Sequence, residues 1–271
     1  MLLINEKVNH MNRVVPHQSL FDQVKVFDKW QTRLLFVATL FTIASIVLSS
    51  IEKSNPNLWL DSYINFITSV VSILSVTYIA LELIGNYKFY KAEKARRMDM
   101  IDHAFDTHFS GDRSTGYYNP GGISIGVYKL AVQAFENSFF TSNTTKKMTV
   151  GKWIYACIVL AIFLISACLG DRQWVNDLVQ IAAAGILVQQ ALKLHLFCNQ
   201  MENIHSDFKT MFSNLKDVAD KTKNEGEMVK NILNYESTLA WGSTIMDDKI
   251  FFRDNDTLSQ KWEKMKQDYM I

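Results

Sequence analysis

The stretch from Leu60 to Gly85, LDSYINFITSVVSILSVTYIALELIG, limits what this chain can fold into more than any other. It is largely apolar and longer than the roughly 20 residues that carry one helix across a bilayer. Its polar residues are not scattered. Asn65, Thr68, Ser72 and Ser75 follow steps of three, four and three, and the same seam runs on through Ile79 to Glu82. That spacing sets them on one face of a helix. Lipid offers such a face no hydrogen-bonding partner, so it must turn toward protein or water.

The other apolar runs are Arg33 to Ser50, Trp153 to Leu169 and Val175 to Leu196. Together the four predict an all-α polytopic membrane protein with two transmembrane hairpins and a helical cytosolic module. The expected divisions are a cytosolic amphipathic segment 1–32, hairpin one 33–85, a central cytosolic segment 86–152, hairpin two 153–196 and a C-terminal helical segment 197–271. Residues 1–33 hold Glu6, His10, Asp22 and Asp28 and lack a short apolar core with a small-residue cleavage site. The first run is therefore expected to serve as an internal signal-anchor. Phe21, Val24, Phe27 and Trp30 sit at helical spacing, which predicts a short amphipathic helix leading to the membrane, with Trp30 at the interface.

Orientation follows from charge. Lys and Arg number five in 1–33, ten in 86–152 and ten in 197–271, while the hairpin loops carry one each, Lys53 and Arg172. Basic residues stay on the cytoplasmic side, so both termini and the central segment are expected there. Lys88, Lys91, Lys94, Arg96 and Arg97 directly follow the second span and are suited to anionic headgroups. The formal net charge of +1 argues against binding nucleic acid through its phosphates. Cys157, Cys168 and Cys198 have no metal or redox spacing and read as small apolar residues in the core.

Other constellations keep two readings. The second-span seam either packs against neighbouring helices or lines a water-filled path with Glu82 at its cytosolic mouth. Lys193 in the fourth span, which also carries Gln180, Gln189 and Gln190, lies at a depth to pair with Glu82. Four helices are too narrow to enclose a wide pore, so a path requires a homo-oligomer. Asp99, Asp102 and Asp106, with His103 and His108, form a solvated helix face at a helix start or a metal site, and the solvated face is favoured. Ser110 to Ile125 is a loop rich in Gly, Ser and Tyr. Within it, Arg113, Tyr117 and Tyr118 either hold a nucleotide or partner peptide or anchor the loop. Gly122-Ile123-Ser124-Ile125-Gly126 matches a nucleophile-elbow pattern, but no large α/β sheet can form around it, so it reads as a glycine loop. Asn143 and Asn255 open N-x-T triplets on the expected cytosolic side, where they stay idle. Leu258, Trp262, Met265 and Tyr269 make an apolar stripe on a last helix, after a break at WGSTIMDDKIFFRDND. No catalytic set, metal site or cofactor is expected.

The paired short hairpins, the run KAEKARRMDMID, the segment FENSFFTSN before the third span and the closing LSQKWEKMKQDYMI together resemble the small multi-span effectors of bacterial conflict systems. These are the SLATT-type and four-span families that accompany cyclic-nucleotide synthases in anti-phage defence. The resemblance implies oligomerisation, permeabilisation of the inner membrane, a cytosolic nucleotide signal or partner, and arrest of growth before phage release. A membrane-anchored sensor or scaffold that recruits a cytosolic protein through Phe251 to Ile271 is the alternative.

Overall fold

The computed structural model describes residues 14–54, 58–116, 122–169, 174–218 and 220–271; the side chains of 58, 163, 165–169, 174–184 and 222 are outside the description. Six α-helices carry the fold: α1 Gln18–Ser54, α2 Leu58–Phe105, α3 Val127–Leu169, α4 Trp174–Leu215, α5 Glu225–Gly242 and α6 Asp248–Tyr269. Among the described residues there is no strand, only one isolated bridge between Val14 and Thr115. The protein is all-α.

The helices are longer than the apolar runs inside them. α1 absorbs the expected amphipathic lead-in, and α2 continues 20 residues past Gly85 to Phe105. In α3 the polar stretch TSNTTKKMTVGK is helical and joins directly to the third apolar run. The cause is a lack of breakers. Pro16 precedes α1, and no described helix contains a proline. The predicted break at WGSTIMDDKIFFRDND shrinks to residues 243–247. Ser243 closes α5 in the left-handed conformation, and the Asp247 carboxylate caps α6 by accepting from the Lys249 and Ile250 amides.

Two compact units divide the chain, and the divisions fall inside α1, α2, α3 and α4. One unit takes 23–87 and 149–194. Its core joins Leu35, Tyr78, Ala156, Val159, Leu187 and Ala191, so each of the four long helices contributes to one cluster. On α1, Ala38, Thr39, Thr42 and Ser45 are buried, and both threonine hydroxyls bond carbonyls four residues back. On α2 the buried positions Ile64, Val71, Tyr78 and Gly85 recur every seven residues, the period of helices that pack side by side. At Gly85 the helices approach closely. A Cβ there would stand 2.9 Å from Gln31 Nε2, and the same amide donates to the Leu81 carbonyl at 2.9 Å. Cys157 is exposed on this unit, contrary to the core reading, while Cys198 in the other unit is buried.

The second unit takes 88–148 and 195–271 with the N-terminal residues through Asp22. Its axis is the first half of α3, where residues 131–135 are all buried. A helix covered on every side needs small or self-satisfied polar residues. Ser138, Ser142 and Thr145 supply them by bonding their own helix's carbonyls. Phe135 stands at the centre, with His205, Phe208, Phe212, Trp262 and Tyr269 within 5.0–6.0 Å of its ring centroid. The last-helix stripe read from the sequence is this contact: Leu258 and Trp262 are buried, with Tyr269 against Phe135.

Candidate functional site

α2 carries both surfaces of functional interest. Along its apolar part the polar seam straddles the edge of the bundle. Thr68, Ser75 and Glu82 are half-buried, whereas Asn65 and Ser72 are exposed. The hydroxyls of Thr68, Ser72 and Ser75 each donate to the carbonyl four residues back at 2.9 Å. They therefore need no outside partner for the proton, and the face they form still presents oxygen atoms. Packing within one chain accounts for Thr68, Ser75 and Glu82 but leaves Asn65 and Ser72 uncovered.

The polar link from α4 to α2 is made by Gln190. Its amide donates to the Tyr78 hydroxyl at 2.6 Å. Gln189, named from the sequence, is exposed, and Lys193 is half-buried. Among the described residues no ion pair joins Lys193 to Glu82. Gln190 was named among the fourth span's polar residues, but its partner Tyr78 and Gln31 were not singled out. The seven-residue step linking Ile64, Val71, Tyr78 and Gly85 was the signal for Tyr78, and the small Gly85 was the signal for a close contact.

Beyond Gly85, the basic cluster is divided. Lys91 and Lys94 are exposed and Lys88 half-buried. Arg96 is buried: its Nε donates to Glu93 and its Nη2 to both carboxylate oxygens of Glu236, all at 2.8 Å. Arg97 Nε meets Glu236 at 2.8 Å. Burial alone would raise the Glu236 pKa, but Arg96, then Arg97, holds it below the ordinary carboxylate value. Arg96 and Arg97 therefore belong to an internal network joining α2 to α5, not to a headgroup site. The reason was out of reach locally, since Glu236 lies 140 residues from Arg96.

The aspartates of α2 also differ from the solvated face expected of them. They occupy the last turns of a helix, not its start, so the macrodipole does not favour them. Asp99 and Asp102 are buried, and the chain folds back over them. Asp102 accepts from Thr107 Oγ1, the Phe109 and Ser110 amides and Ser110 Oγ at 2.6–2.8 Å. Burial opposes ionisation, but these donors, Ser110 foremost, hold the Asp102 pKa well below the carboxylate range. Asp99 accepts from the Ser114 amide at 2.9 Å and lies 3.4 Å from His17 Nδ1. Among the described residues no group of three His, Cys, Asp or Glu side chains is placed to hold a metal ion.

His103 Nε2 lies 3.2 Å from Ser114 Oγ and 3.6 Å from Asp99 Oδ1. This is not a nucleophile relay. A relay needs serine and carboxylate on opposite ring nitrogens, and here one nitrogen faces both, with Ser114 buried. Arg113 bonds Asp106 at 2.8 Å and also the Thr107 carbonyl, so its guanidinium anchors the loop. Its outer side, with His108, Asp112, Gly111, Val14 and Pro16, lines an open cleft of about 590 Å³. Tyr117 and Tyr118 lie outside the described residues. The Gly122–Gly126 pattern is a turn with positive φ at both glycines, and the Gly126 amide donates to the Ala104 carbonyl at 2.8 Å.

No protein-family model, no curated protein and no solved structure matches the chain. Fold and surface alone define its class: an all-α protein in which α1 and α2 are long and apolar enough to cross a membrane.

Proposed function

We propose that the chain is a four-span inner-membrane protein that assembles into oligomers and perturbs or permeabilises the membrane, under control from the cytosolic side. The observation carrying this reading is the exposure of α2. In its most apolar window only 11% of the residues are buried within the chain. A core helix of a water-soluble protein would be covered there. On one side this helix bares Phe66 and Ile73, both at least 65% exposed, which suits acyl chains. On another it bares Asn65 and Ser72, which suit a neighbouring copy or water. An assembly around that second side supplies the width one bundle lacks. The resemblance to conflict-system effectors is what supports a role in anti-phage defence within this reading, and the cleft beside Arg113 is where a nucleotide or peptide signal would act.

The test is ion leak, followed with a membrane-potential dye after induced expression. Glu82→Ala and bulky replacements at Ser72 are expected to change depolarisation at equal membrane abundance. Unchanged leak in all of them would discard the path. The scaffold reading draws on a different observation. The apolar stripe of the last helix is spent internally on Phe135, but α5 exposes Val229 and Leu233 on its outer face. A scaffold would recruit its partner there, and Leu233→Asp would then abolish function while leaving any leak unchanged.

A further inference from the structure

We infer that the end of the apolar unit marked by Trp30, Arg33 and Tyr87 binds phospholipid phosphate groups, with the Arg33 guanidinium as the phosphate's partner. The proposal rests on the membrane-spanning reading above and names the lipid chemistry that end meets. All three residues belong to the one compact unit 23–87 and 149–194. On α1, Trp30 is 53% exposed, and the Arg33 guanidinium carbon stands over its ring, 5.3 Å from the centroid. Among the described residues no carboxylate pairs with Arg33. The residues that follow it, Phe36, Val37, Leu40 and Phe41, are apolar and all at least 37% exposed. A charge is costly in the hydrocarbon that would cover them. In a helix the Cα–Cβ bond leans toward the N-terminus, so the long side chain carries its charge back one turn, onto the indole. A guanidinium stacked this way keeps its N–H edge for a ligand, and its planar fork fits two phosphate oxygens. Lys29, exposed one residue before Trp30, adds a second cation.

The level of this pair is fixed inside the unit. Phe27 and Gln31 bracket Gly85: a Cβ on Gly85 would stand 3.6 Å from the Phe27 Cβ and 2.9 Å from Gln31 Nε2. Trp30 therefore sits beside the end of the apolar run on α2. Tyr87, 58% exposed, follows Gly85 by two residues, about 3 Å along the axis. At the other end of the run, Trp59 and Tyr63 are 74% and 62% exposed. At about 1.5 Å per helical residue, Tyr87 lies about 36 Å from Tyr63 and about 42 Å from Trp59. A bilayer has a hydrocarbon core of about 30 Å and measures about 40–45 Å with its headgroups. When the apolar run fills the core, both sets of aromatics fall in the headgroup layers, where Trp and Tyr concentrate. Charge separates the two ends. Lys29 and Arg33 flank Trp30, whereas Trp59 and Tyr63 enclose the exposed Asp61. The phosphate partner is therefore the Trp30 end.

The full chain in dodecylmaltoside micelles, melted while far-ultraviolet circular dichroism is followed, tests the site. The probe is dioctanoylphosphatidylglycerol. Dioctanoylglycerol, which lacks the phosphate, and inorganic phosphate, which lacks the chains, are the comparisons. The phospholipid should raise the melting midpoint saturably, and the other two should not. Arg33→Gln should raise the concentration that gives half of this shift by about tenfold, as loss of a charge-assisted hydrogen bond does. Trp30→Leu should raise it in the same direction. Arg253→Gln, at an exposed arginine paired with Asp254, should leave it unchanged. The same half-shift concentration in wild type and Arg33→Gln would overturn the site, as would an equal shift with dioctanoylglycerol. An equal shift with inorganic phosphate would make the ligand a soluble anion and overturn the lipid assignment. The spanning reading is read separately, from carbonate-washed membranes. A wild-type chain that stays in them while the phospholipid gives no shift loses only the site, and one that washes off loses both.

Discussion

At the scale of single residues, the unit outside the apolar core is held by a few buried polar groups whose titration can be predicted. Asp102 collects four donors, and its pKa is depressed, so its contribution is complete above the ordinary carboxylate range and is lost progressively as pH falls from that range toward the depressed value. At neutral pH, Asp102→Asn should cost about 1–3 kcal/mol, because one amide oxygen cannot take four donors. Faster hydrogen exchange at the Phe109 and Ser110 amides would report it, and unchanged exchange would deny the clamp. His205 behaves oppositely to a paired histidine. Stacked on Phe135 and tilted against Phe139, it is kept neutral chiefly by burial and secondly by Lys209, and its pKa falls from 6.5 to about 4. The unfolded chain binds more protons in that window, so stability rises with pH between about 4 and 6.5. His205→Phe should keep the stacking and flatten the slope, read from denaturant midpoints across that range. Glu236→Ala removes a carboxylate shared by Arg96 and Arg97 and should cost about 3 kcal/mol or more. A thermal midpoint unchanged from wild type would deny the network its role.

Elements are where the sequence was most and least legible. Apolar runs with helical seams marked the helices well: Leu258 and Trp262, from the stripe read on the last helix, face inward on α6. Helix ends were harder, because length alone suggested a stop where each apolar run stopped. In fact Phe89, Ala92, Arg96 and Asp99 keep an inward face on α2 well past Gly85. The aspartates were read against the wrong helix end for that reason, and the Arg96–Glu236 pair joins distant stretches that no local pattern links. Gly242 shows the same limit. Its glycine looks like a helix stop in sequence, but the structure shows a backbone pressed on Phe197. Gly242→Val should therefore lower stability by about 1–3 kcal/mol, as overpacking does. A variant as stable as wild type would mean that α5 does not close on α4 there.

At the scale of the whole molecule, a long apolar helix is left largely uncovered by its own chain, with an oxygen-bearing strip beside an acyl-like one. The proposed assembly in a bilayer would resolve both, with lipid covering Phe66 and Ile73 and a second copy or water meeting Asn65 and Ser72. Adjacent positions on one helix should then live in different solvents, which cysteine accessibility can read directly. With the native cysteines replaced by alanine, single cysteines are placed at 65, 72, 66 and 73 and exposed to a charged, membrane-impermeant thiol reagent in proteoliposomes. Cysteines at 65 and 72 should react and reduce ion leak, while those at 66 and 73 should stay unmodified. Equal reaction at 72 and 73, or none at either 65 or 72, would contradict the account.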